Sequence, residues 1–239
     1  MAPGLEQELL ALAEPEQARQ LMRFFKTGPG QYGEGDTFLG IKMAPQHALA
    51  KKYRSLDHPE LSRLLGAPWH EMRMTALLIL LDQYRRGDAA GKAESFHFLQ
   101  AHLSAMNNWD LVDVIVPGSI GDYLYHHPDE RGRLQTWLRS DSLWERRIAL
   151  LASQAFIRQG ELGPTFSLCA QVLNDREDLI HKAAGWMLRE AGQRNQAPLL
   201  VFLEAHAAVM PRTMLRYALE KLSPEQKRDF MGRKARKGR

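Results

Sequence analysis

The stretch "LIHKAAGWMLREAG", residues 179–192, decides how the rest of the chain is read. Its apolar residues return at intervals of three and four, the spacing of one helix face. Lys182, Trp186 and Arg189 lie four and then three apart, so they share a different face. Similar stretches begin at Trp69 ("WHEMRMTALLILL"), Asn108 ("NWDLVDVIV"), Leu143 ("LWERRIALLASQAF") and Met210 ("MPRTMLRYALEKL"). In chain order the five starts are 39, 35, 36 and 31 residues apart. Less regular amphipathic segments lie between them, such as "AESFHFLQAHLSAM" (93–106) and "TFSLCAQVL" (165–173). A helix pair recurring at this period is the mark of HEAT-like repeats, whose pairs bury their apolar faces only by stacking on neighbours. The expected fold is all-α: a HEAT-like helical-repeat solenoid with a concave groove. An irregular helical bundle is the alternative.

The rest of the chain agrees. Ala, Leu, Glu, Arg, Gln and Met dominate, and no run alternates with the period of a strand. Breaks such as "TGPGQYGEGD" (27–36), "HHPDERG" (126–132) and "GQRNQAP" (192–198) divide the chain into roughly a dozen short helices. A length of 239 residues, 44% of them hydrophobic and 25% charged, suits a globular chain with a sizeable core. The expected organisation is one repeat domain over residues 1–226 and a basic tail over 227–239. The tail holds seven basic residues against one acid, Asp229, so it carries +6 and leaves −2 for the rest of the net +4. Such an end favours polyanions without specificity, or serves only solubility.

Several classes are set aside. Cys169 is the single cysteine, which forbids an internal disulfide and fits a reducing compartment; it reads as a small buried apolar residue. There is no CxxC pair, HExxH or nucleotide-binding loop, so neither metal nor cofactor is expected. The start "MAPGLEQELLALAEPEQ" is acidic and lacks the plan of a signal peptide. The longest apolar run, Ala76 to Leu81, is too short to span a bilayer. A cytoplasmic monomer with no membrane partner is the expectation.

A helical solenoid usually binds something extended along its concave wall. Candidate lining residues are Lys182, Trp186 and Arg189; Arg212 and Arg216, four apart; and Arg146 and Arg147, which follow Trp144. Guanidinium groups fork onto phosphates and indole faces lie against sugars or bases, so this interleaving suits a nucleic-acid backbone. Each Trp read singly is core and each Arg solvated; the recurrence of Trp with a base in successive repeats argues otherwise. Trp69, Trp137 and Trp144 read as packing.

The segments "NNWDLVD", "LWERR", "HKAAGWMLRE" and "MPRTMLRYALEK", with "FLGIK" (38–42) and "ALAKKY" (48–53), resemble the DNA alkylation repair enzyme family, the AlkD-like DNA glycosylases. The matches run in order from about residue 20 to 222. The resemblance implies a HEAT-like solenoid whose cationic groove holds alkylated duplex DNA. It implies hydrolysis of the N-glycosidic bond of cationic N3- or N7-alkylated purines, without flipping the base into a pocket. By the same resemblance Trp109 is the groove aromatic, Asp113 the catalytic carboxylate, Arg147 a backbone-binding arginine and Trp186 the second groove Trp. Lys182, Arg189, Arg212 and Arg216 are the further cations expected on the backbone.

Elementary chemistry agrees with that assignment. An alkylated purine already carries positive charge, so it leaves without much protonation. What needs stabilising is the positive charge developing on the deoxyribose, and a carboxylate nearby does that and can position water. Indole faces attract the same cation.

The loop "TGPGQYGEGDTF" departs from the family pattern. Tyr32 is the candidate for an aromatic that faces the lesion in the glycosylase branch. Glu34 and Asp36 would repel phosphate unless they point away. The loop reads either as a site of altered substrate preference or as a long inter-helix turn. Asp110 reads as a helix-start carboxylate rather than a catalyst. A non-catalytic binder of duplex or branched DNA and a protein-binding scaffold are the alternatives to a glycosylase.

Overall fold

The computed structural model describes residues 4–233, and its chain divides into two compact units, the boundary falling between Tyr123 and Leu124 in the sequence. The regular structure among the described residues is all helical, apart from one isolated bridge, Thr37 to Trp69, with no named strand.

The first unit holds α1 (Leu5–Ala11), α2 (Pro15–Phe24), α3 (Met43–Lys52), α4 (His58–Leu65), α5 (His70–Arg86), α6 (Ala89–Ala101), α7 (Trp109–Ile115) and the start of α8 (Ile120–His126). Its centre is α5, the repeat stretch that begins at Trp69. That helix is apolar around most of its circumference, with Met72, Met74, Ala76, Leu77, Ile79 and Leu80 all buried. A helix of that kind must be surrounded, and α3, α4, α6 and α7 pack against it. The ends are set by local chemistry. Asp57 caps α4 by accepting from the Glu60 amide, Asp88 caps α6 through Gly91, and Asn108 accepts from the Trp109 amide at the start of α7.

The "FLGIK" segment crosses this unit as extended chain between α2 and α3. Gly40 has φ +91°, and a Cβ there would lie 2.2 Å from the Glu14 carbonyl oxygen and 2.7 Å from the Ala18 amide nitrogen. Only glycine lets the segment pass under the first turn of α2. The buried Glu71 carboxylate then accepts the amides of Leu39, Gly40 and Ile41. Three amides that no ladder pairs are thereby satisfied by one α5 side chain.

The second unit completes α8 and holds α9 (Gly132–Leu138), α10 (Leu143–Arg158), α11 (Gly163–Gln171), α12 (Asp178–Arg194), α13 (Gln196–His206), α14 (Arg212–Ala218) and α15 (Pro224–Gly232). The repeat pattern is explicit here. The second helices stack in series, α12 against both α10 and α14, while α9 packs on α10, α13 on α12, and α11 on both α10 and α12. Close approach of α12 and α14 depends on Gly185, where a Cβ would meet the Met214 carbonyl oxygen at 2.5 Å and Tyr217 Cβ at 2.6 Å. Cys169 is fully buried, and burial pushes its thiol pKa up. Trp137 is buried, whereas Trp69 and Trp144 are only partly so.

The proposed tail needs correction. The 226/227 boundary falls inside α15, whose Ser223–Gln226 capping box starts the helix at Pro224. Lys227 and Arg228 are helical, and Arg233 pairs with Glu204 and Asp229. Residues 234–239 of the expected tail lie outside the described residues.

Candidate functional site

Trp109 opens α7, and Asp113 follows one turn later on the same helix. Both are half-buried. The Trp109 indole stacks on Phe25, with ring centroids 5.1 Å apart and planes 25° from parallel. Its other neighbour is Phe24, edge-on at 5.9 Å. Phe25 stacks in turn on Phe38 at 5.0 Å, and both belong to a small core with Ala18, Leu21 and Met22. Phe24 is 63% exposed although it is a large apolar ring. Trp109 therefore sits between an aromatic core and an aromatic that faces water.

Tyr32 is half-buried, and its hydroxyl donates to the Phe24 carbonyl at 3.4 Å. Phe24 is thus an exposed aromatic in contact with Trp109, and Tyr32 is braced against its backbone. Phe24 was missed by sequence reasoning. The signal was present in the adjacent pair Phe24–Phe25 at the end of α2, because two neighbours in a helix cannot both point to one core.

The acids of the glycine-rich loop behave differently from each other. Glu34 is exposed and accepts the Gly30 amide. Asp36 is buried, its side chain fully so. Its Oδ2 accepts from His70 Nδ1 at 2.8 Å and from Asn108 Nδ2 at 3.2 Å, and its Oδ1 accepts from Arg73. His70 donates from Nε2 to Asp110 at 2.9 Å, while the other Asp110 oxygen accepts the Leu111 amide. Asp110 does serve the first turn of α7, and it also ties that turn to α5. Burial works against a charged His70, but the hydrogen bonds and charges of Asp110 and Asp36 outweigh it and raise its pKa to about 9. Burial likewise opposes the Asp36 charge, and His70 and Arg73 overcome it, holding this carboxyl below its ordinary value. His70 and Asp110 also border a pocket of about 210 Å³, whose lining includes the apolar Leu21, Phe25, Phe38 and Met74 and the polar Gln46 and Lys42.

In the second unit, Trp186 is half-buried and donates from Nε1 to Glu190 at 3.0 Å. Arg189 reaches the same carboxylate and also Glu220. Lys182 pairs with Asp178 at 2.9 Å, one turn back on α12. Arg212 and Arg216 are exposed; Arg212 donates to the Met231 carbonyl at 2.7 Å, and Arg216 to the Thr213 hydroxyl. Arg146 pairs with Asp175. The expectation for Arg147 is revised. It is 4% exposed and donates to the Leu179 carbonyl at 2.7 Å, so it braces the first turn of α12 from α10. Spacing alone made it look like its neighbour Arg146. Burial separates them, since a guanidinium sealed against a helix end is not presented to a solvent-borne phosphate.

Among the described residues no group of three or more His, Cys, Asp or Glu side chains could hold a metal ion. No helix among them is long and apolar enough to cross a membrane.

The described residues form an all-α chain, and the comparisons with known proteins define its class. The chain matches the DNA alkylation repair enzyme family over residues 5–222 and belongs to it. Among solved structures it is similar to a predicted DNA alkylation repair enzyme from Enterococcus faecalis, with 18% identity and a TM-score of 0.69 over 89% of this chain and 97% of that one. It is also similar to AlkD2 from Streptococcus mutans, with 14% identity and a TM-score of 0.57 over 91% of this chain and 99% of that one. The smu.31 protein of Streptococcus mutans UA159 gives 14% identity and 0.56 over 90% and 96%. At these identities the likeness is one of fold. No curated protein sequence matches.

Proposed function

We propose that this DNA repair protein is a glycosylase that hydrolyses the N-glycosidic bond of cationic N3- or N7-alkylated purines in duplex DNA. The observation that carries the reading is the start of α7. There a half-buried indole, edged by the exposed Phe24, stands one turn from the Asp113 carboxylate.

In this reaction the C1′–N bond breaks and its electron pair passes to the purine, which leaves as a neutral base. Water adds to C1′ and gives up one proton. Positive charge peaks on the sugar between those events, and Asp113 opposes it electrostatically while orienting the water. Trp109 and Phe24 offer faces to the cationic nucleotide. Trp186 with the exposed Arg212 and Arg216 contributes contacts to the duplex, since each cation placed on a phosphate releases counterions. Lys182 and Arg189 join them only by giving up their present acidic partners, so they add less.

The test is release of free base from methylated duplex by the full chain, compared with Asp113→Asn. The Asn side chain keeps the shape and removes the charge, so the chemical step should fall by about a hundredfold or more while duplex affinity stays close to wild type. Equal release by both proteins, or none above background, rejects the glycosylase. Salt-dependent duplex binding without release would then favour the non-catalytic DNA binder, and absence of binding the protein scaffold.

A further inference from the structure

Asp36 closes the glycine-rich loop, the part of the sequence that the proposed chemistry leaves without a role. It is one end of a buried chain of charges. Asp36 and Asp110 are both within hydrogen-bond distance of His70, one at each ring nitrogen. Ionised carboxylates only accept hydrogen bonds, so both ring nitrogens must carry hydrogen. Arg73 adds a second cation: one end of its guanidinium donates to the Ala67 and Pro68 carbonyls, the other to Asp36 and to the Asn107 side chain at 3.1 Å. Two carboxylates and two cations balance, which is what burial of charge demands.

The groups this cluster grips fall within four successive residues. Asn107 is held by Arg73, Asn108 by Asp36, and Asp110 by His70. The residue left between them is Trp109. Its ring is fixed from the same direction, because Phe25 and Phe38, on which it depends, lie 5.3 and 4.3 Å from the His70 ring. The entry to α7, residues 107–110, is thus held at three of its four positions by side chains from the loop and from α5. A helix of seven residues has little propensity of its own to define where it starts.

We propose that Asp36, His70 and Arg73 are positioning residues, a buried charged clamp that sets the first turn of α7 and with it the placement of Trp109 and Asp113. The step from placement to reaction rate rests on the glycosylase reading; the clamp itself does not. The glycine-rich loop is then more than a plain turn. It carries a carboxylate into the core to meet α5. Arg73 and Glu71 lie on the same helix as His70, and Lys42 borders the neighbouring pocket. Of these, Glu71 is engaged with the backbone of residues 39–41. Asp36 and Asp110 are therefore the carboxylates that control the His70 charge.

The test follows the Trp109 indole N–H by NMR in the full-length protein, assigned by its loss in Trp109→Phe. Wild type, His70→Gln and Asp110→Asn are compared between pH 6 and 10. In the wild type the Trp109 resonance should be steady at neutral pH and move with a midpoint near 9, with the signal of Trp137 unmoved. Asp110→Asn removes one of two charges, so that midpoint should fall by about one pH unit or more. A role confined to stability would lower the melting temperature and leave the midpoint in place. If His70→Gln fails to fold, Asp110→Asn, whose side chain is 16% exposed, carries the experiment. A Trp109 resonance that ignores pH in the wild type, or a midpoint unchanged in Asp110→Asn, overturns the clamp. Single-turnover base release should drop roughly ten- to a hundredfold in Asp110→Asn with duplex affinity within about twofold. Absence of release by the wild type would reject the glycosylase reading alone, because the NMR titration does not depend on it.

Discussion

The exposed ring of Phe24 meets the half-buried indole of Trp109 edge-on, centroid to centroid at 5.9 Å. An apolar ring held at the surface against a Trp gains little for folding, since most of its area remains in water. Phe24→Ala should therefore change stability by less than about 0.5 kcal/mol in urea unfolding. It should weaken binding to alkylated duplex by about 1 kcal/mol or more, the scale of one aromatic contact to a base. Titration of labelled duplex checks this, and Phe25→Ala provides the contrast. That ring is core, so its loss should cost about 3–5 kcal/mol of stability.

Gly40 should tolerate nothing larger. Its φ of +91° and the 2.2 Å approach to the Glu14 carbonyl both oppose a methyl group. Gly40→Ala should destabilise the first unit by about 2 kcal/mol or more, combining backbone strain with a displaced α2. Glu71→Ala strands three amides and should cost at least as much. Equilibrium denaturation with intact chains measures both, and wild-type stability in either would contradict the proposed role of "FLGIK".

Stability should depend on pH through His70 and Asp36. The folded pKa of His70 is raised from 6.5 to about 9, so the folded state holds its proton more tightly than the unfolded chain. The gain, about 3 kcal/mol, is fully present below pH 6.5 and is lost as pH rises through about 9. Asp36 has the opposite sign: its folded pKa is lowered, so its contribution is present above the ordinary carboxylate range and disappears as pH falls through the folded value. Melting temperatures measured from pH 3 to 10 should decline on the alkaline side in wild type, with a smaller decline in His70→Gln.

The cations should separate by burial. Arg212→Ala and Arg216→Ala should each reduce the salt slope of duplex binding by about one and leave the fold unchanged. Arg147→Ala should leave the slope alone and destabilise the second unit by roughly 1–3 kcal/mol, because a buried side chain and its hydrogen bond to the Leu179 carbonyl are both lost. An Arg147 variant with native stability and a reduced slope would restore it as a phosphate contact.

Much of the fold was legible because helix periodicity is a local property. The spacing of Ile180, Ala183, Ala184, Met187 and Leu188 is enough to define the buried face of α12, and the same holds for α10. Trp109 and Asp113 could be paired because four residues is one helical turn. Tyr32 was approachable only by its position in a loop, and loops have no period. Phe24 went unread and the burial of Arg147 unforeseen for a shared reason: residue type does not reveal which neighbour of an adjacent pair turns inward. Phe24 stays out while Phe25 is buried, and Arg147 is buried while Arg146 pairs nearer the surface.

By itself, then, the sequence determined an all-helical chain of recurring pairs, the family to which it belongs, and the helix that bears Trp109 and Asp113. The tertiary structure alone decided what holds that helix. Asp36 and His70 are 34 residues apart and His70 and Asp110 are 40 apart, on segments with no shared pattern. A local repeat specifies which side of each helix is apolar. Bringing two carboxylates to one imidazole requires the completed packing of the loop, α5 and α7, since only burial together makes each of those charges affordable.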